Sequence, residues 1–174
     1  MKLIIITGTP GTGKSTLAKF LAKKLGWERL DLHKYYSNLS TRYNPHKKCW
    51  EIDFNKLKKL VTKKLKESKK NLILDSHISH QLPKKMVNLC IVLTSSNLKI
   101  LEKRLKQRKY SPQKIRENLD SEIFQVCLNE AKENGSKLKV IDIAKENSLL
   151  KQWIKVKPAL LTTKVIGSVE KVAA

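Results

Sequence analysis

Apolar residues along the chain fall into two rhythms. Continuous apolar runs at residues 3–6, 72–74 and 89–93 are bounded by polar or turn-forming residues. Such runs predict strands at the centre of a parallel sheet, buried on both faces. With shorter runs elsewhere they predict five strands, at about residues 2–7, 27–32, 71–75, 89–94 and 137–143. Between them the apolar positions recur every three or four residues. Leu17, Leu21 and Leu25, beside Ala18 and Ala22, predict a helix over 14–25, closed by Gly26 as C-cap. Phe54, Leu57, Leu60, Val61 and Leu65 form the stripe of a helix over 54–69, capped by Asp53. Leu98, Leu101 and Leu105 mark a third, with Ser96 or Asn97 as cap. Ser111 and Pro112 open a fourth that runs to about 132, with Ile115, Leu119, Ile123, Val126, Cys127 and Ala131 inward. A last helix over 147–154 carries Leu149, Leu150, Trp153 and Ile154.

Two stretches lack a period. Residues 33–51 contain Tyr35, Tyr36, Tyr43, Asn44-Pro45 and Trp50, and fit either a flap or a plain connection. Residues 155–174 read as a tail that is loose or orders on a partner. Five strands alternating with helices make an α/β protein: one domain over 1–154, a five-stranded parallel sheet with helices on both faces.

The chemistry starts where the first strand ends. Gly8-Thr9-Pro10-Gly11-Thr12-Gly13-Lys14-Ser15 is a phosphate-binding loop, G-x-x-x-x-G-K-[ST], in the strand–loop–helix setting that this motif requires. Its glycines let successive backbone N–H groups point at phosphate oxygens, and the helix N-terminus adds favourable dipole charge. Lys14 is expected to reach the β- and γ-phosphates, Ser15 to ligate Mg²⁺ and Thr16 to meet the α-phosphate. The chain is thus expected to bind ATP with Mg²⁺. Asp75 closes an apolar strand and fits the carboxylate that orients Mg²⁺ or its water, although a strand-end Asp is also a common turn former.

Charge changes the picture further. The chain has 174 residues, and 37 Lys+Arg against 15 Asp+Glu give +22. A small-metabolite enzyme has no physical need of that excess, whereas a polyanion such as RNA is attracted by it. A lysine-rich proteome is the alternative. Eight lysines lie between Lys56 and Lys70, and eight basic residues between Lys99 and Arg116. Cys49, Cys90 and Cys127 form no C-x-x-C pair, which argues against a zinc site or a disulfide framework; Cys90 and Cys127 read as small buried hydrophobes. No apolar stretch reaches membrane-spanning length, so a cytoplasmic setting without membrane contact is expected.

The phosphate loop combined with Leu74-Asp75-Ser76-His77, Arg108-Lys109-Tyr110-Ser111-Pro112, Lys114-Ile115-Arg116-Glu117-Asn118 and Glu122-Ile123-Phe124-Gln125-Val126-Cys127 resembles a specific group. It is similar to the adenylate-kinase-like NTPases of small-ribosomal-subunit assembly, which include the coilin-interacting nuclear ATPase and shorter archaeal relatives. The resemblance covers about residues 1–133. It implies a nucleoside monophosphate kinase-like fold, an acceptor flap near 31–54 and a small lid near 107–117. It also implies adenylate kinase and ATPase activities, with ATP and AMP as substrates. The partners it implies are a small-subunit ribosomal protein of the uS eleven type and ribosomal RNA, met as a monomer or transient heterodimer. By the same resemblance the ATP contacts fall on Gly11, Gly13, Lys14, Ser15, Thr16 and the lid residue Arg108, and the aspartate–x–histidine pair on Asp75 and His77.

Departures bear on the acceptor. Metabolic adenylate kinases usually carry Gly-Phe-Pro-Arg after the strand-end aspartate, where Ser76-His77-Ile78-Ser79 stands here, and an early flap arginine where this chain has Lys34-Tyr35-Tyr36. Lys14, Mg²⁺ and Arg108 are expected to neutralise phosphate charge. Asp75 would hold a metal-bound water, and His77 would orient an acceptor or an attacking water. Arg116 is a secondary phosphate candidate. Two other readings stand beside an assembly NTPase: a metabolic kinase for a nucleoside monophosphate or other small acceptor, and a polynucleotide kinase.

Overall fold

The computed structural model describes residues 1–44 and 49–163. Its centre is a five-stranded sheet of β1 (Leu3–Gly8), β2 (Glu28–Asp31), β5 (Leu72–Asp75), β6 (Leu89–Thr94) and β7 (Leu138–Asp142). The strands lie in the order β2-β5-β1-β6-β7, and every pairing is parallel. The α/β class and all five expected strands are therefore present, each within one to two residues of the expected bounds.

Because β side chains alternate, each central strand feeds two cores. Ile4 and Ile6 of β1 join Ile73, Ile91 and Leu93 on one face, where α1 (Lys14–Leu25) and α7 (Leu149–Thr162) cover them with Leu17, Leu21, Trp153 and Val156. Leu3 and Ile5 join Leu72, Leu74, Cys90 and Val92 on the other. There α3 (Phe54–Glu67) and α6 (Val126–Glu133) supply Leu57, Val61, Leu128 and Ala131. A third cluster, Leu101, Leu105 and Ile115 with Tyr110 and Leu119, ties α4 (Leu98–Gln107) to α5 (Pro112–Ile123).

The expected caps are in place. Asp53 accepts from the N–H groups of Asn55 and Lys56, Asn97 from Lys99 and Ile100, Ser111 from Lys114, and Gly26 closes α1 at φ 66°. The aperiodic stretch after β2 contains α2 (Tyr36–Leu39) and a separate antiparallel hairpin, β3 (Ser40–Asn44) with β4 (Cys49–Ile52). Pro45, within residues 45–48, and residues 164–174 of the expected tail lie outside the described residues.

Three expectations need correction. The helix expected from Pro112 to 132 is two helices, broken where Gln125 takes φ 49°. The break lets α5 pack on α4 while α6 turns Leu128 and Ala131 onto the sheet, which one straight rod does not do. It also leaves Ile123 and Val126 exposed rather than inward. Phe54 is 46% exposed, since only the Leu57–Val61 side of α3 meets the sheet. Finally, α7 continues past 154 to Thr162 and buries Val156 and Leu160, so the tail expected over 155–174 is helical core at its start.

Candidate active site

The site lies at the carboxyl ends of β1 and β5, where an open parallel sheet receives ligands. Gly8 ends β1 with φ 132°, and a Cβ there would lie 2.2 Å from the Leu93 carbonyl oxygen. Only glycine lets the loop leave so close to β6. Gly11 and Gly13 also take left-handed φ, 95° and 93°, and Gly13 is the N-cap of α1, so the loop amides open directly onto the helix N-terminus.

The Lys14 Nζ donates to the carbonyls of Gly8 at 2.7 Å and Thr9 at 3.0 Å, which folds the ammonium over the loop. Burial brings its pKa down to about 8, with the Arg108 charge adding in the same direction and Asp75 opposing it. A triphosphate entering the loop would restore the charge that burial disfavours.

Next to the lysine, the Ser15 hydroxyl donates to Asp75 Oδ2 at 2.7 Å. Asp75 is 2% exposed and held from behind by Arg29, whose Nε and Nη2 reach its two oxygens at 2.6 and 2.9 Å. Arg29 also pairs with Asp31 at 3.0 Å. The register explains the triangle: Asp31 of β2 lies opposite Asp75 of β5, so a cation two residues earlier on the same side of β2 reaches both carboxylates. Ser15 and Asp75 offer hard oxygen donors at one point, the donor set that suits Mg²⁺ beside a phosphate chain. Among the described residues there is no cluster of three or more His, Cys, Asp or Glu able to hold a metal. Any cation here therefore depends on the hydroxyl, the one carboxylate and its substrate.

Two cavities meet over the loop. One, about 410 Å³, lies between Gly11, Gly13 and Thr16 on one side and Arg104, Arg108, Asn147 and Gln152 on the other. The second, about 700 Å³, runs from Lys14, Ser15 and Asp75 past His77 and Arg108 to Tyr36, Ile52 and Phe54. Arg108, Gly11 and Gly13 line both. That arrangement can hold a base in the first cavity, its phosphates along the loop, and an acceptor in the second.

A model of the AAA domain matches residues 4–125. A "Putative adenylate kinase" of Methanocaldococcus jannaschii is 38% identical over 131 residues, which are 74% of this chain and 71% of that protein. The chain belongs to this family of P-loop proteins. An "Adenylate kinase isoenzyme 6 homolog" of Schizosaccharomyces pombe is 33% identical over 162 residues, 87% of this chain and 90% of its own length. Among solved structures, a shikimate kinase from Acinetobacter baumannii shares the fold with a TM-score of 0.58, 18% identity and 95% and 94% of the two chains covered. A gluconokinase from Sinorhizobium meliloti gives a TM-score of 0.54 at 14% identity, covering 91% of each.

Every residue of the expected site thus borders one of two adjoining cavities: Gly11, Gly13, Lys14, Ser15, Thr16, Asp75, His77 and Arg108. Arg116 points elsewhere, paired with Asp120 at 2.9 Å on the exposed face of α5. Cys127 is only half-buried and lines the larger cavity; burial raises its thiol to about 11, which keeps it protonated at neutral pH. Three residues were missed in sequence. Arg29 lacked any motif, and only the β2–β5 register reveals its target. Arg104 donates to the Gly11 carbonyl at 3.2 Å and braces the loop from α4. His80 is 2% exposed, with Nε2 2.6 Å from Glu130 and Nδ1 2.7 Å from the Thr7 hydroxyl. With Nε2–H donating to the carboxylate, Nδ1 accepts from Thr7, and α6 is tied to the strand residue just before the loop.

Proposed function

We propose that this chain is an adenylate kinase-like phosphotransferase that moves the γ-phosphoryl group of ATP to a nucleoside monophosphate, AMP first among them. The P–O bond to the β-phosphate breaks as one forms to an acceptor phosphate oxygen, giving two diphosphates; with water as acceptor the same site hydrolyses ATP. One observation carries this assignment: Arg108 lines both the cavity beside the loop and the cavity beside Asp75, and we infer that it serves donor and acceptor together. Lys14 and the loop amides hold the triphosphate. Ser15 and Asp75 would hold Mg²⁺, which when bound offsets phosphate charge. His77, which lines the same cavity as Asp75, orients the incoming group. The relatives' names and the family membership support the same chemistry.

The finer part of the proposal is a role in maturation of the small ribosomal subunit and its RNA, with a small-subunit ribosomal protein as partner. It is supported by the resemblance described above and by the net charge of +22.

The test is a coupled assay following ADP from ATP, Mg²⁺ and AMP. Arg108→Ala should lower kcat about 10²-fold with a smaller change in the KM for ATP, because its charge matters most as phosphate charge redistributes. Unchanged kcat in that variant would refute the assignment. ADP formed equally with and without AMP would leave hydrolysis as the activity.

A further inference from the structure

The outer face of α3 is strongly one-sided in charge. Residues 54–70 hold eight lysines against Glu67 alone, a net +7 within 17 residues. Leu57 and Val61 turn inward, and Lys56, Lys59, Lys63 and Lys66 fall on the opposite side at spacings of three and four residues, all exposed. At about 1.5 Å of rise per residue they form a row with a charge every 5 Å or so. Glu67 engages Lys63 and Lys64 at 3.6 Å; among the described residues Lys56, Lys58, Lys59 and Lys66 have no acidic partner. Such a row is costly to the fold, since like charges at i,i+4 repel.

Beside the row is something a merely solvated face does not need. A cavity of about 400 Å³ lies between the Tyr35–Leu39 segment and α3, lined by Tyr35, Leu39 and Leu60 together with Lys56, Lys59, Lys63 and, at the C-terminal end of α3, Glu67. A second groove, about 630 Å³, follows Lys58, Lys59, Lys63 and Lys66 along the same helix. Ammonium groups in file beside an aromatic and aliphatic floor match the two needs of a single nucleic-acid strand, phosphates outside and base faces inside. An acidic peptide would meet the charges, but its carboxylates bring no flat apolar rings for that floor.

We propose that α3 and the groove beneath Tyr35 form a docking surface for single-stranded RNA. The strand's phosphates lie along Lys56, Lys59, Lys63 and Lys66, and a base rests on the apolar floor. Phe54, the first residue of α3, lines the larger cavity of the active site, so the bound strand starts beside the acceptor end. This deepens the RNA part of the proposed function and is independent of its catalytic part, because none of the four lysines borders the nucleotide cavities.

The experiment measures binding of a fluorescently labelled oligouridylate to the full chain by anisotropy across a salt series. Lys59→Glu/Lys63→Glu/Lys66→Glu should weaken binding at least tenfold, and its Gln counterpart should reduce the slope of log K against log[salt] by about 2. A charge-matched control on the other side of the sheet and its β7 edge, Lys137→Glu/Lys151→Glu/Lys157→Glu, should weaken it far less. ATP turnover of the Gln variant should stay within twofold of wild type, which separates failure here from failure of the enzyme assignment. Equal losses in the α3 and control variants, or an unchanged salt slope, would overturn the proposal. So would polyglutamate of equal length competing as well as RNA, which would make this a face for acidic protein.

Discussion

Replacing Arg29 by Met tests the central polar triangle most directly. The Asp75 carboxylate is 2% exposed and receives three hydrogen bonds, two from Arg29 at 2.6 and 2.9 Å and one from Ser15 at 2.7 Å. Arg29→Met removes both charged donors and leaves a buried anion with a single hydroxyl. Breaking one side of a buried pair costs about 3–5 kcal/mol. Arg29 is 16% exposed, so water can partly replace it, and the low end, about 3 kcal/mol, applies. Asp31 also loses its partner but is 24% exposed and adds little. For a chain of this length that corresponds to a fall in Tm of about 6–12 °C. Urea denaturation of wild type, Arg29→Met, Asp75→Asn and the double variant reads the effect as a cycle. The double variant should be at least about 1 kcal/mol more stable than the two single losses summed, because removing both members leaves no orphaned charge. A single variant within about 0.5 kcal/mol of wild type, or strict additivity, would show that the triangle is not a coupled unit.

The Lys14 ammonium, with its pKa brought down to about 8 by burial, makes nucleotide affinity sensitive to alkaline pH. Below that value the lysine is charged and attracts the triphosphate, and above it the neutral amine does not. ATP affinity by calorimetry should therefore fall as pH rises through about 8, while Lys14→Met binds weakly with a flat profile; a flat wild-type profile refutes the assignment. Gly11→Ala should distort the loop, since φ is 95° and the new Cβ would lie 2.7 Å from Leu101 Cδ1 in the α4–α5 cluster. A loss of about 1–3 kcal/mol and of the ATP-induced rise in Tm is expected, measured by thermal melts with and without ATP.

Local chemistry made much of the site legible. The phosphate loop announces itself because its glycines, lysine and hydroxyl are consecutive in the chain, and Asp75 because it ends an apolar run. Arg108 and His77 are candidates only by likeness to other sequences; no spacing rule in this chain points to them. Arg29, Arg104 and His80 stayed hidden because their partners are 46, 93 and 50 or more residues away. In sequence each is one basic residue among many.

Strand and helix positions, the caps at Asp53, Asn97 and Ser111, and the position of the phosphate-loop motif were determined by the sequence itself. All depend on contacts within a few residues, which periodicity and side-chain chemistry encode directly. The order β2-β5-β1-β6-β7, the break at Gln125 and the continuation of α7 past Pro158 were decided only by tertiary packing. Each of these answers a question about which distant surface a segment must cover. At Gln125 the answer is two surfaces at once, the α4 cluster and the sheet, and the gain from burying both outweighs the helical period that the residues carry.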